Sequence, residues 1–590
     1  MRSKFLILSL VLLCAGAAFA QDWPQWGFDK AHGSAVPYVG QALNQNLANI
    51  VYDPLVPQEM SAVAPYVGEP ALLAHYQAPL VDSNDVYMMF KGGTYSIHNY
   101  GTQQWGERKY SWSGGTLVTQ WSFNTDWTAP GSFFNDFWEP VFHPALANGS
   151  LYVPGKGGSI FKVNKSSGAA ITRINPFPGD DGGLKGNVFV VSPLTVAGSD
   201  ILYNVIQFTN GTNVYQNDVV DSWLVRVHQN DTFETVSYST LTTGAPAATA
   251  QCLNAFGTSS LPWPPSPTAV PGSVTCGTQR PAINASPAVA SNGTIYVITR
   301  SHFISRWGYV IAINPNLTQK WIASIRERFR DGCGVPISLG GTLPPNGAPG
   351  GCRAGANYGV DPATNGYGGG RVLDDSSSTP LVGADGSIYY GSYTRYNYAQ
   401  GHLMRFSSTG QYLGGYNFGW DVTPGVVGST NVAIKDNHYG EVGSYCNTES
   451  VCPSDESGRA YPEAYFITQL SPTIRSDAFD DRGDLLMTPV WSYQNTNTLS
   501  CSRDANGNVT CVDDHPNSFE WCVNAFVVDA NGTLYANSED GNLFKIPQFA
   551  VGVTKIFQQL ALGAAYTPTS MGSDGKVYSQ NAGHLFVAGN

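Results

Sequence analysis

Five residues hold the strongest claim to chemistry in this sequence: Glu139, Arg371, Asp375, Trp420 and Asp421. Each stands a few residues ahead of the same short phrase, a polar residue and a proline that open an apolar run: His143-Pro144, Thr379-Pro380 and Thr423-Pro424. The same copies add Trp138 and Asp374, and other copies place His75 and Gln77, Arg280 and Asn284, Glu520 and Trp521, and Tyr566 at corresponding points. Carboxylates, guanidinium groups and aromatic rings in one cavity suit a small polar ligand or a cation. Glu139 and Asp421 are also a pair of carboxylates of the kind that cleaves a glycosidic bond, given the right separation. The acidic run Asp477, Asp480, Asp481 and Asp484 offers oxygen ligands for calcium but lacks the spacing of a calcium-binding helix-loop-helix, and reads as a solvated turn. His143 and His438 read as ordinary hydrogen-bonded histidines. The glycine-rich pieces lack the strand-to-helix setting of a phosphate loop, and there is no GxSxG, CxxC or CxxCH.

What must position these residues is a repeat. "SPAVASNGTIYVIT", "TPLVGADGSIYYGS", "HPALANGSLYVPGKGGSIFKV" and "TPTSMGSDGKVYSQNAGHLFVAG" share one plan: an apolar strand, an Asn-Gly or Asp-Gly turn and a second strand. Those dipeptides predict two-residue hairpin turns. Eight copies can be anchored, at Ala78, His143, Ser192, Ser286, Thr379, Thr423, Ala525 and Thr567. Seven carry a tyrosine in the second strand (Tyr87, Tyr152, Tyr203, Tyr296, Tyr389, Tyr535, Tyr578), and the copy at Thr423 is the weakest. The fullest copy reads as four strands. Four strands recurring every 40 to 50 residues or so mark propeller blades. The fold predicted is all-β: an eight-bladed β-propeller of four-stranded antiparallel blades with disulfide-stapled loop insertions, one domain over residues 21–590. The last copy stops at its third strand, so "ANIVYDPLV" (48–56) is expected to supply the fourth and close the ring. Ser471-Pro472 is read as lying in a third strand rather than opening a further blade, and helices are expected to be nearly absent. In such a ring the residues ahead of each innermost strand converge on one mouth, which is why the five named residues form one candidate site.

The bulk composition agrees. Sixty-five glycines, 31 tyrosines and 14 tryptophans fit many tight turns and aromatic strands, and the net charge of -12 argues against a nucleic-acid partner. Residues 1–20 read as a signal peptide, with Arg2 and Lys4, an apolar run from Phe5 to Leu13 and Ala18-Phe19-Ala20 before Gln21. No later segment is apolar at spanning length, so an exported, periplasmic or secreted, monomeric protein is expected. Cys252–Cys276, Cys333–Cys352, Cys446–Cys452 and Cys501–Cys511 are the expected local disulfides, and Cys522 the free thiol.

The phrase "SPAVASNGTIYV…GYVIAINPNLTQKW" and the tryptophan-rich opening "DWPQWGFDKAHG" resemble the quinoprotein-type, PQQ-like propeller family. The resemblance implies one of two roles. One is a PQQ- and calcium-dependent alcohol or sugar dehydrogenase, with Asp375 or Asp421 as base and Arg371 polarising the quinone. The other is a non-catalytic propeller that binds a protein or a polymer such as a carbohydrate. The vicinal Cys-Cys of the dehydrogenases is absent, and "NKSSGAAI" and "SSTGQYL" lack the tryptophan of their docking phrase. The leading expectation is therefore a non-catalytic binding or scaffold module, with the dehydrogenase and a polysaccharide-active enzyme as alternatives.

Overall fold

The computed structural model describes residues 22–590 apart from 68–69, 98, 132–137, 210–213, 255–265, 267–268, 270–271, 327, 329–359, 362–365, 368–369, 394–400, 419–420, 439–463, 476–485, 505–506, 522–524 and 561–565. The signal-peptide segment, Trp420, the acidic run from Asp477, Cys522 and the pairs Cys333–Cys352 and Cys446–Cys452 lie outside the described residues.

The chain folds as a β-propeller. Eight four-stranded antiparallel units can be traced among the described residues, two of them joined edge to edge by a single parallel pairing of Gly415 with Leu486. Their innermost strands are Leu80–Asp82, Ala145–Ala147, Thr195–Ala197, Ala288–Val289, Leu381–Val382, Gly425–Val427, Val527–Val528 and Ser570–Met571. These are the eight anchored copies of the repeat, called blades one to eight below.

The recurring tyrosine has a place in this plan. Tyr87, Tyr152, Tyr296, Tyr389, Tyr535 and Tyr578 each pair directly with an inner-strand residue, and all are buried. Ala433 takes that position in blade six. Tyr203 is displaced by one residue, since Thr195 pairs with Leu202, and its hydroxyl donates to Gly158 O of blade two. The first turns correct the sequence expectation. They are two residues long in blades one to three, whereas in blade seven Val528 pairs with Leu534, leaving a five-residue turn. The Asp529 carboxylate holds that turn by accepting from Asn531 N and Thr533 N, while Gly532 adopts φ +73°. The acidic residue organises this turn, and the glycine supplies its one left-handed step.

Gln45–Val51 pairs antiparallel with His584–Gly589, so the N-terminal strand is the fourth strand of the last blade. It begins and ends earlier than the sequence reading placed it. Pro54 stops it, and Asp53 Oδ1 accepts from Leu55 N at 2.9 Å, turning the chain into helix α1 (Val56–Val67). This helix was not expected. Ser471-Pro472 lies inside the single strand Ala464–Arg475, the third of blade six, with register shifts on either side of Ser471. The disulfides Cys252–Cys276 and Cys501–Cys511 are formed.

The segment ahead of that closing strand does something the repeat does not announce. Trp23 forms an antiparallel bridge with Val81, and Pro24 O accepts from Leu146 N. The Gln25 amide bonds both backbone groups of Val196. Lys30 O then accepts from Val289 N, Ala31 O from Val382 N, Gly33 O from Val426 N and Ser34 O from Val528 N. Tyr38 OH donates to Met571 O. Residues 23–38 thus visit the inner strands of blades one to eight in order, and close the axis at the end where the first turns lie. Trp26 and His32 are buried there, Trp26 edge-on to His143 and His32 Nδ1 at 2.9 Å from Pro380 O.

Candidate functional site at the propeller axis

At the opposite end, the residues ahead of the inner strands do meet. His75 is the hub. Its Nδ1 lies 2.8 Å from Glu139 O and its Nε2 3.0 Å from Asp375 O. Its ring stacks on Tyr566 and leans on Trp138. Tyr566 OH donates to Asp421 Oδ1 at 2.6 Å, and Ser376 Oγ donates to Asp421 Oδ2 at 2.5 Å. Segments leading into blades one, two, five, six and eight are joined in this one network. Burial holds the His75 imidazole down to about 4, against the pull of the two carbonyls and the Asp421 charge.

Glu139 faces away from that hub into a buried chamber. Its Oε1 lies 2.8 Å from Lys91 Nζ, and its Oε2 accepts from Gln103 Nε2 at 2.9 Å. Lys91 Nζ is also 2.9 Å from Asp53 Oδ2, which in turn accepts from Tyr76 OH at 2.7 Å. Burial pushes the Glu139 carboxyl up; Lys91 opposes this without cancelling it.

A third cluster fastens blades four and five. Arg280 forks onto Asp374 (2.9 and 2.5 Å), Arg300 adds a contact at 3.0 Å, and Ile283 N donates to Asp374 Oδ1. Burial pushes Asp374 up, but the two guanidinium groups outweigh it and hold the carboxyl well below its ordinary range. Asn284, at φ +71°, donates to Asp374 O and accepts from Val141 N, tying blade two to this cluster.

Of the five residues singled out in the sequence, Glu139 and Asp421 are fully buried and committed to these bonds, and Asp375 contributes its backbone carbonyl to His75. Arg371 is half-buried and donates from Nε to Ser305 Oγ at 2.8 Å. His75, Lys91 and Tyr566 organise the axis. His75 and Tyr566 were legible as residues ahead of inner strands. Lys91, inside the second strand "DVYMMFKGG", carried no such mark. Among the described residues, no group of three or more His, Cys, Asp or Glu side chains is arranged to hold a metal ion. A separate open cavity of about 290 Å³ lies on the plugged face, lined by Ala35, Val36, Val426, Val528, Asn531 and Gln548 among others.

No protein-family model matches the chain, and no curated protein matches it. Solved structures share its general shape. A europium-containing methanol dehydrogenase aligns at 9% identity and TM-score 0.43, over 95% of this chain and 89% of that one. BamB from Moraxella catarrhalis aligns at 10% and 0.40, over 92% and 99%. The quinohemoprotein alcohol dehydrogenase from Comamonas testosteroni aligns at 11% and 0.46, over 97% and 81%. Likeness at this level carries no inference about chemistry.

Proposed function

We propose that this chain is an exported, non-catalytic binding module, a propeller whose axis is locked by its own residues and whose recognition surfaces lie on its periphery. One observation carries the reading: the acidic groups that converge on the axis are spent on holding blades together. Glu139 is bound by Lys91 and Gln103, Asp421 by Tyr566 and Ser376, and Asp374 by two arginines. A carboxylate buried in that position lacks the access to a substrate that a general base needs. Arg371 and Asp375, like Trp138 and Glu520, are half-buried and so within a ligand's reach. Peripheral surfaces are built differently. The hairpin of Leu499–Arg503 and Val509–Asp513 is stapled by Cys501–Cys511 and exposes Val509 and Val512. The two disulfides suit an oxidising compartment.

The reading is tested by titrating purified protein with PQQ and calcium, followed by calorimetry and by dye reduction with alcohols and sugars. No heat and no dye reduction are expected. Saturable quinone binding with turnover would replace the binding module with a dehydrogenase. Steady hydrolysis of a polysaccharide panel, lost in Glu139→Gln, would replace it with a glycosidase.

A further inference from the structure

The chamber around Lys91 does not balance its charges. Asp53, Glu59 and Glu139 face one ammonium group, and all four side chains are sealed from solvent. Three carboxylates against one lysine would leave two net negative charges in the interior, a state proteins avoid by taking up a proton or a counter-ion. The geometry singles out which carboxyl gives way. Lys91 Nζ is in direct contact with Asp53 (2.9 Å) and Glu139 (2.8 Å) but 3.8 Å from Glu59 Oε2. Asp53 has Tyr76 and the Leu55 amide as further donors, and Glu139 has Gln103. Glu59 has no side-chain partner in hydrogen-bond geometry, and the one backbone group that bears on it as a donor is the Leu73 amide.

The surroundings of Glu59 repeat the point. The hydroxyls of Tyr52 and Tyr95 are buried without hydrogen-bond partners, as is the Oε1 of Gln103 on the Glu139 side of the chamber. The Glu59 charge bears on both tyrosines. A carboxylic acid brings one O–H donor into this set of acceptors and hydroxyls, which a carboxylate cannot do. We propose that Glu59 keeps its proton at neutral pH, and that this proton seats helix α1 on blade one.

The groups facing Glu59 come from every element packed around it: Tyr52 and Asp53 from the turn after the closing strand, the Leu73 amide and Tyr76 from the approach to blade one, Lys91 from the second strand of blade one, Tyr95 from the loop that follows, and Glu139 from the approach to blade two. Burial raises the Glu59 carboxyl to about 8, with Lys91 opposing and Glu139 and Asp53 adding to the rise. Helix α1 buries Val56, Glu59 and Val63 along one side, so ionising Glu59 places an uncompensated charge in the middle of the docked face. Because α1 directly follows the strand that closes the ring, its release loosens that closure.

The test is hydrogen exchange of α1 amides between pH 6 and pH 9, corrected for the intrinsic rate, in the wild type and in Glu59→Gln. Wild-type protection of α1 should fall by up to about tenfold per pH unit from pH 6 upwards, because the opened helix releases the proton that the docked one holds, and should level off above about 8, where the docked carboxyl has ionised too. The glutamine variant should hold its protection through pH 9. Equal pH profiles in the two proteins would overturn the proposal. So would an α1 restored at pH 9 by sodium or potassium but not by tetramethylammonium at the same ionic strength, because the chamber would then be a metal-cation site. Should the variant fail to fold, infrared spectroscopy of the wild type decides: a buried protonated-carboxyl band that disappears as pH rises through 8 supports the proton, and its absence at pH 6 sinks it.

Discussion

His75 and Tyr566, from opposite ends of the chain, lie face to face with ring centroids 4.5 Å apart and planes within 6°. The backbone repeats the contact, since His75 and Tyr566 form a parallel bridge and Tyr76 N donates to Tyr566 O. Blade one and blade eight are thereby joined at the mouth as well as through the closing strand. Tyr566→Phe keeps the ring and loses the hydroxyl that donates to Asp421 Oδ1. Leaving that buried acceptor unmade should cost about 1–3 kcal/mol. Chemical denaturation of the variant checks this, and unchanged stability would mean that the hydroxyl contributes nothing to the axis.

Lys91→Met removes the cation that Asp53 and Glu139 share. Breaking a buried pair in this way should destabilise by about 3–5 kcal/mol. Adding Glu139→Gln to Lys91→Met should recover part of the loss, because it deletes one of the charges left stranded. A double variant less stable than Lys91→Met would show that Glu139 serves Gln103 and the axis more than it serves Lys91.

Stability should peak near pH 6.5. Burial lowers His32, His75 and His143 to about 4 and His302 to about 2, all from an ordinary value of 6.5. As pH drops below 6.5 the unfolded chain binds protons that the native histidines refuse, so stability falls towards acid. Burial raises Glu59 and Glu107 from 4.5 to about 8. Between those values the native chain holds protons that the unfolded chain has released, so stability falls as pH rises. The four histidines oppose the raised carboxyls below 6.5, and above it the carboxyls prevail, Asp29, Glu139 and Asp540 being pushed up by burial as well. Urea midpoints from pH 5 to pH 9 check the sign on each side; a maximum at pH 8 or above would mean that the glutamates are ionised in the native state.

Trp26→Ala should cost about 3–5 kcal/mol, the range for a fully buried large aromatic side chain. Deleting residues 22–40 should cost far more, because the deletion leaves inner-strand amides of several blades without acceptors. A truncated protein that melts cooperatively at the wild-type temperature would show that the plug adds nothing to the ring.

Reduction should separate the two disulfides. Cys252–Cys276 is buried and closes a sequence separation of 24, so its loss should cost about 3 kcal/mol in the chain-entropy view. Cys501–Cys511 staples an exposed hairpin, and its loss should change exchange in residues 499–513 with little effect on global melting. Non-reducing peptide mapping places the remaining cysteines; a bridge to Cys522 would contradict the expected pairing.

The blades were legible because each repeats a local pattern: Tyr535 announces a second strand as clearly as Tyr296 does, and both pair where the pattern puts them. The convergence ahead of the inner strands was legible too, through His75, Glu139 and Asp421. What the pattern does not carry is commitment. Nothing in "WEPVFHP" says that Glu139 is already taken by a lysine, because Lys91 sits in an apolar strand and meets its three carboxylates from two distant segments, residues 53–59 and Glu139. The plug was missed for another reason. Pro24, Lys30, Ala31, Gly33 and Ser34 engage the blades through backbone carbonyls, and carbonyls leave no trace in residue type. Helix α1 was hidden by its apolar start, which continues the strand pattern across Pro54.

The plug also sets a timetable. Residues 23–38 leave the ribosome ahead of every blade, yet the last of their acceptors and donors, at Val528 and Met571, are made near the end of synthesis. The segment made first is thus the last to be fully satisfied. Contacts of such long sequence separation form slowly. A half-made chain presents an incomplete circle, so this part of the protein cannot complete its contacts until the last blades have been made. If the chain is exported as proposed, an assembly that cannot close early would keep the polypeptide threadable for as long as the transit lasts.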